Sequence, residues 1–329
     1  MKKVSMQDIA DKVGVSRCAV SLVLSGKAKD KRISEALSKR IIEVARELNY
    51  KPNDLARGLR TGITKTLGVI VADISNEFFG EMVSHIQQRA FSLGYSIIVT
   101  NSDEDPRRMV EMLDLLINRQ VDGIIMVPTN NSQVIADQIM SASIPLVQVD
   151  RFLPGLEASY VILDNFQASA ELTRRLYGKG CRRIAMLRHK TSALNGRLEG
   201  YVKVLEDEGI YDPDLVKDID YSSESGDIQA AIGELFVQPG YIDAIIFQSH
   251  ELFLQGIRSI RTRGIDFRDR VEIACFDKID AFALVDFPLL YVEQPVAEIG
   301  REAVDILVGH ISGSNDLVQK VFEGTIREI

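Results

Sequence analysis

Arg17, Cys18, Ser21 and Leu22 share one face of a short stretch whose other face carries Ala19, Val20, Val23 and Leu24. Helical spacing turns the apolar face inward and leaves the other four side chains pointing out from the start of a helix. Such a set suits reading rather than bond-making. The N-terminal part of a helix of this kind enters a DNA major groove, where outward side chains meet base edges. Cys18 reads there as a small groove-facing residue.

Covalent chemistry finds no support elsewhere. No G-x-G-x-x-G follows a strand, no Walker A pattern occurs, and no serine sits in a nucleophile elbow. His85, His189, His250 and His310 lack zinc-site spacing. No catalytic residue, metal or cofactor is therefore expected. Cys18, Cys181 and Cys275 are odd in number and form no C-x-x-C pair, which suits a reducing compartment.

Around the reading face, Ser5 is placed to cap a first helix with Ile9, Ala10 and Val13 on its apolar stripe, and Gly14 to stop it. Ser16 then caps the second helix, so the two meet as a helix-turn-helix, with Ala10 small where they cross. Leu37, Ile41, Val44, Ala45 and Leu48 predict a third helix after Ser34. Beyond Pro52, the segment NDLARGLRTG carries Leu55, Ala56 and Leu59 on one side but includes Gly58. It is too short to hold a helix alone and would fold only against a partner.

Charge separates this head from the rest. Residues 1–65 hold 15 Lys+Arg against 7 Asp+Glu, and the remainder 24 against 40. A basic head on an acidic body implies that the head alone meets a polyanion. No apolar run is long enough to span a membrane, and the N-terminal residues lack the apolar core of a signal peptide, so a cytoplasmic protein is expected.

From Thr66 the texture changes to β-branched runs alternating with helical patterns: TLGVIVADI, SIIVTN, GIIMV and PLVQVD, then YVILD, RRIAML, AIIFQ and EIACFD, with LLYV and one last strand near Val321 to Ile326. The pattern predicts two α/β lobes of doubly wound parallel sheet. Arg188-His189-Lys190 follows RRIAML at a strand end, where a ligand cleft should lie, and this favours an anionic ligand over a neutral one.

As an ordered set, VSMQDIADKVGVSRCAVSLVLSG, NYKPNDLARGLRTGITKTLGVIVADISNEFF, LDNF, GRLEGY, ACFDKID and QPVAEIGREAVDIL resemble the LacI/GalR family of bacterial transcription regulators over the whole chain. The resemblance implies an α/β protein with a three-helix headpiece (1–51), a hinge helix and linker (52–65) and a two-lobed core like the periplasmic sugar-binding proteins (66–329). Its N-lobe would span about 66–163 and 295–320, and its C-lobe about 164–294 and 321–329. Arg17, Cys18 and Leu22 lie at family base-contacting positions, and Ser16 and Ser21 at phosphate-facing ones. Leu59 matches the leucine inserted into the minor groove, with Ala56 and Arg57 in the same hinge; Ser5 and Asn53 complete the DNA-binding set. Leu22 departs from a position often held by Arg or His, which removes a strong guanine reader.

The family's effector cleft maps onto Asn76, Phe78, Phe79, Thr129, Arg151, Asp164, Arg197, Tyr221, Glu251 and Asp277. Glu251 stands where the family more often has Asp. The function implied is a repressor that binds a palindromic double-stranded DNA operator as a homodimer under control of a sugar or sugar derivative. A sugar-binding transport protein and a sugar-metabolising enzyme are the disfavoured alternatives. The chain ends soon after its last strand without a heptad tail, which favours a dimer over a tetramer.

Overall fold

The computed structural model describes residues 4–26, 28, 33–50, 63–129, 132–189, 195–220, 226–237 and 241–329. The chain divides into two compact units, Met1–Thr64 and Lys65–Ile329. The expected hinge residues Asn53, Ala56, Arg57 and Leu59, and Tyr221 in the second unit, lie outside the described residues.

Among the described residues of the first unit, three helices, α1 (Met6–Val13), α2 (Arg17–Leu24) and α3 (Glu35–Glu47), each begin at a serine cap. Ser5 forms a capping box with Asp8, whose carboxylate accepts from the Ser5 N–H at 2.7 Å. Ser16 and Ser34 accept from the N–H groups of Ala19 and Leu37 at 3.2 and 3.3 Å. Each such cap contributes about 1 kcal/mol, which matters for eight-residue helices that could not stand alone. Gly14 closes α1 in the left-handed conformation (φ 79°), where a Cβ would be strained. Ile9, Ala10, Val20, Val23, Ile41, Val44 and Ala45 form the small core.

The second unit holds two six-stranded sheets. The first contains β1 (Thr66–Val71), β2 (Ser96–Asn101), β3 (Gly123–Met126), β4 (Leu146–Val149), β5 (Ser159–Leu163) and β11 (Gln319–Phe322), in the order β11-β5-β4-β3-β1-β2 and parallel throughout. Its helices are α4 (Glu77–Ser92), α5 (Pro106–Asn118), α6 (Gln133–Ser141) and α11 (Val296–Ile311). The second contains β6 (Ile184–His189), β7 (Val216–Ile219), β8 (Ala244–Phe247), β9 (Glu272–Phe276), β10 (Leu289–Glu293) and β12 (Thr325–Glu328), in the order β12-β10-β9-β8-β6-β7. Its helices are α7 (Asn165–Gly178), α8 (Asn195–Asp207), α9 (Gly226–Val237) and α10 (His250–Thr262).

Successive strand residues feed opposite cores. On β1, Leu67, Val69 and Val71 pack on one face of the sheet and Ile70 on the other. On β8, Ala244 and Ile246 oppose Ile245 and Phe247. Sheets buried on both faces explain the near-continuous apolar runs in the sequence. The chain passes between sheets after β5, after β10 and after β11. Where one last strand was expected near Val321 to Ile326, there are two: β11 runs parallel to β5, the chain crosses at Glu323-Gly324, and β12 turns antiparallel to β10. The short run VFEGTI hides a change of sheet, because local residue types carry no information about which neighbour a strand pairs with.

Candidate functional site

Carboxyl ends of parallel strands from both sheets open on one cleft of about 620 Å³, the place where open α/β sheets bind ligands. Residues following β1 supply Ala72, Asp73 and Asn76; those following β2 supply Asp103, Glu104, Asp105 and Pro106; β4 leads to Asp150 and Arg151. From the second sheet come His189 at the end of β6, Asp220 after β7, Ser249 and Glu251 after β8, and Asp277 after β9. Asp150 and Asp277 leave their strands with positive φ, 65° and 71°. Aspartate tolerates that region better than most residues, and backbone strain of this kind gathers at functional sites.

Two buried arginines organise the walls. Arg151, 3% exposed, donates to both oxygens of Glu104 at 2.7 and 3.1 Å, to Asp150 at 3.1 Å and to the Pro128 carbonyl at 3.3 Å. Arg197, 2% exposed, donates through Nε to Asn165 Oδ1 at 2.6 Å and through Nη1 to the Gln248 carbonyl, with its guanidinium 4.1 Å from the centre of the Phe276 ring. Arg197, near the start of α8, reaches Asn165 at the start of α7 because those helices pack closely: a Cβ on Gly200 would clash with the Phe166 carbonyl oxygen.

Charge in the cleft follows from these partners. Burial raises the Asp150 pKa against the pull of Arg151 and Arg197. Burial pushes Asp277 the same way, but hydrogen bonds from His250 and Gln294 and the charge of Arg197 outweigh it and leave its pKa below the ordinary value. Burial drives His189 down to about 4, so it is neutral at physiological pH.

Of the residues expected to bind effector, Asn76, Phe78, Phe79, Arg151, Arg197, Glu251 and Asp277 line this cleft together. Phe78 and Phe79, each 6% exposed and 5.2 Å apart between ring centres, also belong to the core under α4. Thr129 is not among the lining residues; its N–H donates to Ser132 Oγ at 3.1 Å and its hydroxyl meets Met109 Sδ at 3.7 Å. Asp164 is absent too, and its carboxylate caps α7 through the Gln167 N–H at 2.9 Å. Sequence reasoning missed Asp73, Glu104, Asp150, Asp220 and Ser249, although each stands within a few residues of the end of an apolar run. The expectation of an anionic ligand rested on Arg188-His189-Lys190, and the geometry removes two of its three supports. Arg188 turns to Asp218 on β7 at 2.6 Å and does not line the cleft, His189 is neutral, and Lys190 lies outside the described residues.

On the first unit, Arg17 and Cys18 are exposed and Ser21 and Leu22 half-buried, while Ser5 and Ser16 stand exposed at the N-termini of α1 and α2. Helix N-termini with free N–H groups attract phosphate.

Comparison with known proteins matches residues 5–53 to the bacterial regulatory proteins of the lacI family. Residues 64–324 match the periplasmic binding proteins and sugar binding domain of the LacI family. The chain belongs to the LacI family. This LacI-family chain is 29% identical over 314 residues to the HTH-type transcriptional repressor CytR of Escherichia coli K12, covering 94% of the chain and 91% of CytR. It is 28% identical over 315 residues to the ribose operon repressor of Haemophilus influenzae, covering 95% and 93%. The lac repressor dimer bound to operator and the anti-inducer ONPF shares its fold with a TM-score of 0.87 at 20% identity, covering 99% of this chain and 98% of that one. The LacI-family assignment makes the protein a DNA-binding transcriptional regulator, its helix-turn-helix the DNA-binding domain and its two-lobed unit the ligand-binding domain. Among the described residues no helix is long and apolar enough to cross a membrane.

Proposed function

We propose that this regulator is a cytoplasmic, non-enzymatic repressor that binds a palindromic operator as a homodimer and responds to a sugar or sugar derivative held between its lobes. The observation that carries the reading is the joining, in one chain, of a capped helix-turn-helix with exposed Arg17 and Cys18 to a 620 Å³ cleft walled by Arg151, Arg197 and Asp277. Arg17, Cys18 and Leu22 read bases, Ser5, Ser16 and Ser21 face phosphates, and Asn53, Ala56, Arg57 and Leu59 form a hinge between a headpiece ending near residue 51 and a core starting near 66. In the core, Asn76, Phe78, Phe79, Arg151, Arg197, Glu251 and Asp277 hold the effector. A second copy docks on α10 and the 3₁₀ turn Asp280–Leu284, where Leu254 and Leu284 are exposed by 46% and 84%.

Selection from a random-sequence DNA pool tests this directly. A repressor enriches a palindrome; a sugar-transport protein or a sugar-metabolising enzyme enriches nothing.

A further inference from the structure

Carboxylates outnumber cations on the cleft wall, and among the described residues Asp73 and Glu251, on opposite lobes, are among those that form no ion pair. Glu104 and Asp150 share the Arg151 guanidinium, and Asp277 is held by His250 and Gln294. Asp73, after β1, accepts from the Ser75 N–H and hydroxyl of its own turn at 2.8 and 2.7 Å. Glu251, on α10 in the other lobe, has its hydrogen-bonding neighbour in Gln255 at 3.5 Å. Among the described residues neither forms an ion pair, and both line the same cavity. Burial raises the Glu251 pKa; His250 opposes the rise, while Asp73 and Glu104 add to it.

Deeper in the cleft, two buried groups keep unused bonding capacity. Arg197 donates from Nε and Nη1 and leaves Nη2 without a protein acceptor among the described residues. Asp150, 6% exposed, accepts at Oδ2 and leaves Oδ1. These two lining side chains together suit a ligand that supplies both an acceptor and a donor. A sugar hydroxyl supplies both, yet a neutral sugar leaves Asp73 and Glu251 without a counter-charge, and an anionic sugar adds a like charge to a wall where carboxylates already outnumber cations. An ammonium group presents three donors and a compensating charge.

We propose that the ligand is a polyhydroxylated amine, an amino sugar or aminopolyol, with its ammonium seated between Asp73 and Glu251 and its hydroxyls on Arg197 and Asp150. This rests on the reading of the cleft as the effector site. Calorimetry on the full chain with matched sets of sugars tests it, each set comprising a neutral hexose or pentose, its amino-deoxy form and its phosphate ester. In the set whose ring fits, the amino form binds at least tenfold tighter than the neutral parent, and the phosphate binds weakest. Glu251→Gln with Asp73→Asn brings the amino-to-neutral affinity ratio down toward one. Equal binding of neutral and amino forms, or tightest binding of the phosphate, overturns the amine proposal and leaves the sugar-effector reading standing. Failure of every sugar, whatever its charge, overturns both.

Discussion

Asp277 accepts a 3.0 Å hydrogen bond from Nδ1 of His250 through one carboxylate oxygen and a 2.6 Å bond from Gln294 Nε2 through the other. One cleft side chain thereby joins the loop after β9, the first turn of α10 and the crossover that leads into α11. Its lowered pKa fixes the pH behaviour. The contribution to stability is present above the ordinary carboxylate pKa of about 3.9 and is lost as pH falls through the lower, folded value. Thermal melts between pH 6 and pH 3 should show a steeper loss for the natural chain than for Asp277→Asn. Asp277→Ala, which strands buried donors, should cost about 3 kcal/mol at neutral pH.

His189 gives a second pH signature in a different window. Its folded pKa of about 4 lies below the unfolded value near 6.5, so the unfolded chain takes up a proton first. Stability present at pH 7 falls between about pH 6.5 and pH 4, by an amount on the order of 3 kcal/mol. Denaturant titrations at pH 7 and pH 4.5 should show this loss in the natural chain and a smaller one in His189→Gln. An equal loss in both would remove burial of the imidazole as its cause.

Much of this was legible in the sequence, for reasons that differ from residue to residue. Ser5, Gly14 and Ser16 were readable because capping and left-handed turns are local events. The parallel strands announced themselves as apolar runs. The cleft was harder. Asp164 and Thr129 stand at strand ends like the lining residues, but the first caps α7 and the second turns toward Ser132 and Met109, and a sequence does not show which polar side chain a local acceptor or donor has already claimed. Arg188 and His189 are neighbours on β6, and the period-2 pleat sends one toward Asp218 and the other into the cleft. Arg151 with Glu104 depends on β4 and β2 ending at the same level of the sheet, which is a matter of topology and register.

Arg197 meets Asn165, Gln248 and Phe276 at once through a planar fork. Arg197→Lys keeps the charge but cannot reproduce that geometry. Effector affinity, by calorimetry, should fall at least tenfold while the variant retains a cooperative melt. Unchanged affinity would place Arg197 outside the binding contacts.

Leu254 and Leu284 are both exposed, on elements joined by the Phe253–Phe282 ring contact at 5.3 Å, and the proposed dimer uses both. Leu284→Asp, at an 84% exposed position, should leave the melt of the core nearly unchanged. In sedimentation velocity it should shift the protein from dimer toward monomer, and a variant that stays dimeric would move the interface elsewhere.

The most direct test of ligand-controlled repression is the dissociation constant of the full chain for its selected palindrome, measured with and without a saturating sugar that binds the core. Coupling between the two sites on the order of 1–3 kcal/mol corresponds to a change of about 5- to 150-fold. The expected result is a shift in that range, lost in Arg197→Ala, which still binds the palindrome. An identical constant with and without a sugar proven to occupy the cleft would contradict control of DNA binding through it.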